Sequence, residues 1–109
     1  MINSARADAG LGGLSFNSQL SSEARKHSSR MANQHRLAHH SCLSCTFGGG
    51  GWSVMGENVG AGTSLAAVHR KMMRSSSHRN NILKQGYDRV GVGVVRARGL
   101  VWVTEIFAG

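Results

Sequence analysis

The densest chemistry in this sequence lies in HRLAHHSCLSC, residues 35–45, which sets His35, His39 and His40 beside Cys42 and Cys45. Imidazoles and thiolates bind zinc, and imidazole also carries protons near neutral pH. As a self-contained metal knuckle the run is cramped. HHSCLSC would supply all four ligands within one short stretch, whereas structural zinc sites draw on two ligand pairs separated by a longer segment. As a redox pair, C-x-x-C of the thioredoxin kind needs a preceding strand and a following helix, and the pattern here gives neither. A local disulfide or two free thiols remain for Cys42 and Cys45.

Two other residues could do chemistry. Glu57 sits in MGENVG, among glycines and apolar residues, in a chain with only five acidic residues. A carboxylate in that setting is held by buried donors: a histidine, backbone N–H groups or a cation. It can equally be a structural tie between loop and helix. His78, in SSSHRNNIL, falls at the start of a short helix, where the helix dipole disfavours imidazolium. A neutral imidazole there can ligate a metal or accept a proton, or simply cap the helix. His27 and His69 lie on apolar helix faces and read as core residues.

The elements that must position these residues follow from periodicity. MINSARADAGLGGL gives a short helix that Gly10 can end in the left-handed conformation. Leu20, Ala24, His27 and Met31 form one stripe of an amphipathic helix, with Arg25, Lys26, Arg30 and Asn33 opposite. Residues 38–63 are rich in loop signals, with an apolar patch at Trp52, Val54 and Met55; the glycine clusters FGGGGW and MGENVGAG belong there. SLAAVHRKMMR keeps helical spacing through Leu65, Val68, His69, Met72 and Met73, and SSSHRNNILKQG adds a short helix that Gly86 stops. RVGVGVVRARGLVWVTEIFA is two β-branched runs joined at RARG, an antiparallel hairpin. One hairpin alone is unstable in water, so GWSVMGENVG is expected to add a strand. The expected fold is α+β: a small, mostly antiparallel sheet with helices on both faces, in one domain spanning 1–109.

Composition bounds the function classes. A net charge of +8 favours polyanionic neighbours such as nucleic acid, teichoic acid or lipid headgroups. The basic residues are spread, however, and no helix-turn-helix, zinc-finger or RNA-binding signature accompanies them, so specific nucleic-acid binding is not expected. No apolar run approaches the length of a membrane span, and no signal peptide precedes the first helix. The chain reads as a domain trimmed of upstream residues.

Taken in order, these segments resemble the CAP superfamily (cysteine-rich secretory proteins, antigen 5 and pathogenesis-related proteins; the SCP domain), in its short bacterial, actinobacterial-like branch. INSARADAGLGGLSFNSQLSSEARKHSSRMA matches the first helices and LAH the segment after them. GENVGAG matches the G-E-N motif, MRSSSHRNNIL the S-x-x-H-R-x-N-I-L motif, and VGVGVV with LVWVTEIF the closing hairpin. The resemblance implies an α-β-α sandwich whose central cleft gathers two histidines and two glutamates able to bind zinc or another divalent cation. Carried over, His39 matches the first histidine, with His40 as the alternative, Glu57 the first glutamate and His78 the second histidine. No residue of SLAAVHRKMMRSSS supplies the second glutamate, Met72 stands where many relatives have tryptophan, and Ser76-Ser77 replaces a frequent Pro-Gly. A three-ligand site of His39, Glu57 and His78 follows, which if metallated keeps a position open for water. The resemblance further implies a secreted, monomeric binding module for a lipid, small molecule or cell-envelope component. A hydrolase with Glu57 and His78 as catalytic groups, and a purely structural His–Glu cluster, are the alternatives.

Overall fold

The computed structural model describes residues 1–48 and 51–109; Gly49 and Gly50, within a glycine run expected to form a loop, lie outside the described residues. In chain order the elements are helix α1 (Ile2–Asp8), strand β1 (Ser15–Phe16), helix α2 (Ser18–Gln34), the short helix α3 (Leu43–Thr46) and strand β2 (Met55–Gly62). Helices α4 (Leu65–Arg74) and α5 (Ser76–Ile82) follow, then strands β3 (Arg89–Ala97) and β4 (Leu100–Ala108). No helix among the described residues is long and apolar enough to cross a membrane.

The boundaries have local causes. Asn17 caps α2 by accepting the Leu20 N–H at 2.9 Å, and Ser64 caps α4 by accepting that of Ala67 at 3.1 Å. Arg98 and Gly99, both at positive φ, form the two-residue turn between β3 and β4. A turn of that kind matches the twist of the paired strands.

The sheet runs β1-β3-β4-β2, antiparallel except for the short β1, which pairs parallel to β3 and carries no signal long enough to read from sequence. The expected strand in GWSVMGENVG begins only at Met55. On one face α1, α4 and α5 pack Ile2, Val68, Met72 and Ile82 against Val90, Val101, Val103 and Phe107. On the other, α2 sets Leu20 and Ala24 on Ile106 and Ala108, and Met31 on Val59 and Trp102. The α-β-α arrangement is therefore as expected, and β4 is buried on both faces.

Two packing devices fix the helices. A Cβ on Gly93 would lie 2.1 Å from the backbone nitrogen of Arg25, and one on Gly91 2.2 Å from the Leu20 carbonyl carbon. Only glycine lets α2 approach the sheet this closely. The Ser28 hydroxyl then bridges helix and sheet, donating to the Gly93 carbonyl at 2.9 Å and sharing a 2.8 Å bond with Thr104. On the opposite face the buried Arg6 guanidinium donates to the carbonyls of Gly12, Ile82 and Lys84 at 2.8–3.0 Å, tying α1 to the end of α5.

Strand β2 is an edge, and its outer carbonyls are taken by side chains. Asn81 donates to Glu57 O at 3.2 Å, His78 Nε2 to Val59 O at 3.1 Å, and Lys71 to Ala61 O at 2.8 Å.

Candidate functional site

Strand β2 presents Glu57 and Val59 to the α2 face and Asn58 to the opposite face, because successive strand side chains alternate. The predicted carboxylate, Glu57, is buried and lies under the loop that follows α2. Its Oε1 accepts from the His40 backbone N–H at 2.9 Å and from His39 Nδ1 at 3.0 Å, and its Oε2 bonds to His40 Nδ1. Both histidines of the AHH run thus reach the same carboxylate. They differ in burial: the His39 side chain is 61% exposed and that of His40 is 7%. His40 is the inner histidine and His39 the outer.

The other ring nitrogen of His40 meets a residue that the sequence reading passed over. Nε2 lies 2.8 Å from Oε2 of Glu23 on α2, which also accepts from Arg30 at 2.9 Å. With a carboxylate at each nitrogen, the His40 ring satisfies both only when it carries two protons. Burial pushes the Glu23 carboxyl up, but its bonds to His40 and Arg30 outweigh that and hold it below the usual range. A second glutamate does therefore stand beside the histidine, supplied by α2 rather than by the helix before His78.

His27, read as a core residue, is buried as expected but belongs to this cluster. Its ring stacks on His40 with centroids 4.0 Å apart. Nε2 lies 2.5 Å from the Ala38 carbonyl and so must carry a proton, which leaves Nδ1 to accept from Arg30 at 3.3 Å. Burial holds this imidazole below its ordinary pKa, partly offset by the bond to Ala38. His27, His40 and Glu57 each offer a ligand atom, and these atoms all lie within 4.8 Å of one another; the group could hold a metal ion. Two imidazoles and a carboxylate are a donor set suited to borderline divalent cations. Arg30, within 3.4 Å of both rings, is the positive group that a cation would have to displace.

His78 lies in the first turn of α5, as the sequence implied. Its Nε2 donates to Val59 O, so its Nδ1 accepts from the Ser75 hydroxyl at 2.8 Å. Both ring nitrogens are engaged at the outer edge of β2, and His78 is not one of the three clustered ligands. Cys42 and Cys45 form a disulfide on the exposed loop that carries α3, one of the two outcomes left open by their spacing.

A second candidate site lies on the opposite face of the sheet. There α1 and α4 part over β3 and β4, leaving a cleft of about 350 Å³. Ile2, Leu65, Val68, Val92 and Val103 give it aliphatic walls. Its polar groups include Glu105 and His69, neither of which the sequence reading selected. Glu105 is buried, and its carboxyl is pushed up to about 7 by desolvation, offset in part by the 3.1 Å bond from Asn58 Nδ2. His69 Nδ1 is buried and has no hydrogen-bond partner among the described residues. Burial lowers its pKa. The signal for Glu105 was the one that drew attention to Glu57: a carboxylate inside an apolar strand, here LVWVTEIFA.

Residues 1–107 match the sequence profile of the CAP family, described as the cysteine-rich secretory protein family. The chain belongs to that family. Among curated CAP-like relatives, the Bacillus subtilis protein YkwD is 31% identical over the whole of this chain, which spans 44% of YkwD's length. A solved extracellular protein containing an SCP domain, from Bacillus anthracis, is 25% identical with a TM-score of 0.82. That alignment covers 98% of this chain and 37% of the other. An outer surface protein of Borrelia burgdorferi shares the fold at a TM-score of 0.89 and 15% identity, covering 98% of this CAP chain and 85% of its own.

Proposed function

We propose that this CAP domain is an exported binding module that takes an apolar ligand into the cleft between α1 and α4. The observation that carries this reading is the cleft itself. Its volume falls in the range of small-molecule sites, and its aliphatic walls with a few polar groups are the usual composition of such sites. Export is supported by the names of relatives, one extracellular and one from an outer surface, and by a disulfide in a chain this short. The basic surface suits anionic wall polymers or lipid headgroups. Titration with the neutral fluorescent probe Nile red tests the reading. Saturable binding that is lost in Val92→Phe, with melting unchanged, supports it. Absence of binding, or equal binding by the variant, refutes it.

A second reading rests on the separate cluster of His27, His40 and Glu57. We propose that a divalent cation, zinc or another, is held by Glu57 and His40, with His27 of the same cluster, or the His39 and His78 that the family resemblance implies, as further ligands. A bound cation would supply a Lewis-acid centre for an oxygen of the ligand. The protein's own groups hold the carboxylate in place through the His40 backbone N–H and set the His40 ring between two carboxylates. Calorimetric titration with zinc should give binding that disappears in Glu57→Gln and His40→Ala. The His27→Ala, His39→Ala and His78→Ala variants then tell which histidine completes the site. No heat and no melting shift in the wild type, with both Glu57→Gln and His40→Ala melting early, would make the cluster purely structural. Hydrolysis by Glu57 and His78 is not the reading adopted. Glu57 already accepts three hydrogen bonds and His78 is engaged at both nitrogens, so neither is poised to take a substrate proton.

A further inference from the structure

The cleft has a polar floor whose bonding is incomplete, and the reason lies in a chain of amides behind it. Tyr87 donates to the Asn81 side-chain oxygen at 3.3 Å, and Asn81 Nδ2 donates to Asn58 Oδ1 at 2.9 Å. Asn58 then spends its two N–H groups on the His78 carbonyl, at 3.0 Å, and on Glu105 Oε1, at 3.1 Å. This network fixes which way Asn58 faces and exhausts its donors. Glu105 therefore receives one donor for two oxygens. Its Oε2 has no hydrogen-bond partner among the described residues, and no lysine or arginine pairs with it there. Glu105 lines the cleft, so an oxygen left without a protein donor there is one to which a ligand's donor can bond.

Resting on the proposed ligand cleft, we infer that this site selects its apolar ligand by the head: a hydroxyl or an ammonium donating to Glu105 is accepted, and a carboxylate is rejected. An alcohol or amine completes the missing bond at Oε2. Once Glu105 is ionised, a carboxylate brings two more acceptor oxygens to a place that lacks donors, and like charges face each other. The aliphatic walls recognise the tail whatever the head, so the discrimination belongs to the floor alone.

The test uses three probes that share one tail: decanol, decylamine and decanoate, titrated calorimetrically into the wild-type chain. The titration is run about one unit above the Glu105 pKa of about 7, so that the carboxyl is ionised. A hydrogen bond to a charged group contributes about 1.5–3 kcal/mol, so decanol and decylamine should bind about tenfold or more tightly than decanoate. Their order relative to each other identifies the natural head as alcohol or amine. Glu105→Gln should bring decanoate to within about threefold of decanol, since glutamine keeps the shape and loses the charge. The ¹³C resonance of the Glu105 carboxyl in the wild type should shift on adding decanol, a readout that does not depend on how the variant folds. Equal affinity for decanol and decanoate would overturn the head selection while leaving the cleft as a ligand site. A preference unchanged in Glu105→Gln, or an unmoved carboxyl resonance, would overturn its assignment to Glu105. Failure of all three probes would remove the cleft reading together with this one.

Discussion

Alanine at Gly93 tests the link between the sheet and the cluster of His27, His40 and Glu57. The added Cβ would sit 2.1 Å from Arg25 N and 2.2 Å from Ala24 C, more than an ångström inside the 3.4 Å at which ordinary contact begins. Both atoms are backbone of α2, so no side chain can swing away, and the whole helix must lift. Lifting by even half to one ångström forfeits a quarter to a half of the dispersion energy at each facing contact, along a seam that includes the fully buried Leu20, Ala24 and Met31. It also stretches the Ser28 bonds to Gly93 and Thr104. Overpacking against rigid backbone therefore costs about 3 kcal/mol, a fall in melting temperature of about 10–20 °C. Gly60→Ala is the control, because its Cβ meets only Met72 Cε and Val68 Cγ1, at 3.0 Å, on side chains that can shift; its cost should stay under about 1 kcal/mol. Since α2 carries Glu23 and His27, the lifted helix should also move the His40 ring resonances, which Gly60→Ala leaves in place. Scanning calorimetry and histidine NMR give both readouts. A Gly93→Ala protein that melts within about 3 °C of wild type, or a control equally damaged, would refute the argument.

Three further outcomes follow from the same geometry. Glu105 ionises at about 7 when folded against 4.5 in its free form, so folding favours its protonated state. Its contribution is full below pH 4.5 and is lost as pH rises through about 7, a fall on the order of 3 kcal/mol. His27 and His69, with lowered pKa values, contribute the opposite slope, so the measurable quantity is the difference between wild type and Glu105→Gln in urea unfolding across that range. Arg6→Ala leaves three carbonyls without their donor and should cost about 3 kcal/mol or more, seen as a lower urea midpoint with unchanged slope. Reducing the Cys42–Cys45 disulfide, which closes a loop of only three positions, should cost no more than about 2 kcal/mol and leave the fold intact by circular dichroism, with mass spectrometry confirming two added hydrogens.

Much of this architecture was legible in the sequence because its longer elements are strongly periodic. The stripe of Leu20, Ala24, His27 and Met31 named the buried face of α2 correctly, and the RARG turn placed the hairpin. The parallel strand β1 was not legible, since two residues carry no period. Alternation could not sort the residues of β4 by face either, because both faces are buried. The site was half legible. The isolation of Glu57 among glycines marked it, and the family motif brought His39, His40 and His78 into view. Helical spacing showed that His27 is buried but not that it stacks on His40, and nothing local to Glu23 connects it to a histidine in the loop beyond the helix. Those relations come from α2 lying close on the sheet, which Gly91 and Gly93 permit and which no short window of sequence displays.

The side chains along the outer edge of β2 have a consequence for assembly. Asn81, His78 and Lys71 occupy three of its outward carbonyls. That margin offers no run of free acceptors to an incoming extended peptide, so strand addition is disfavoured along it. Neighbouring copies find little along β2 on which to template. His78 helps guard that margin whether or not a metal ever visits it.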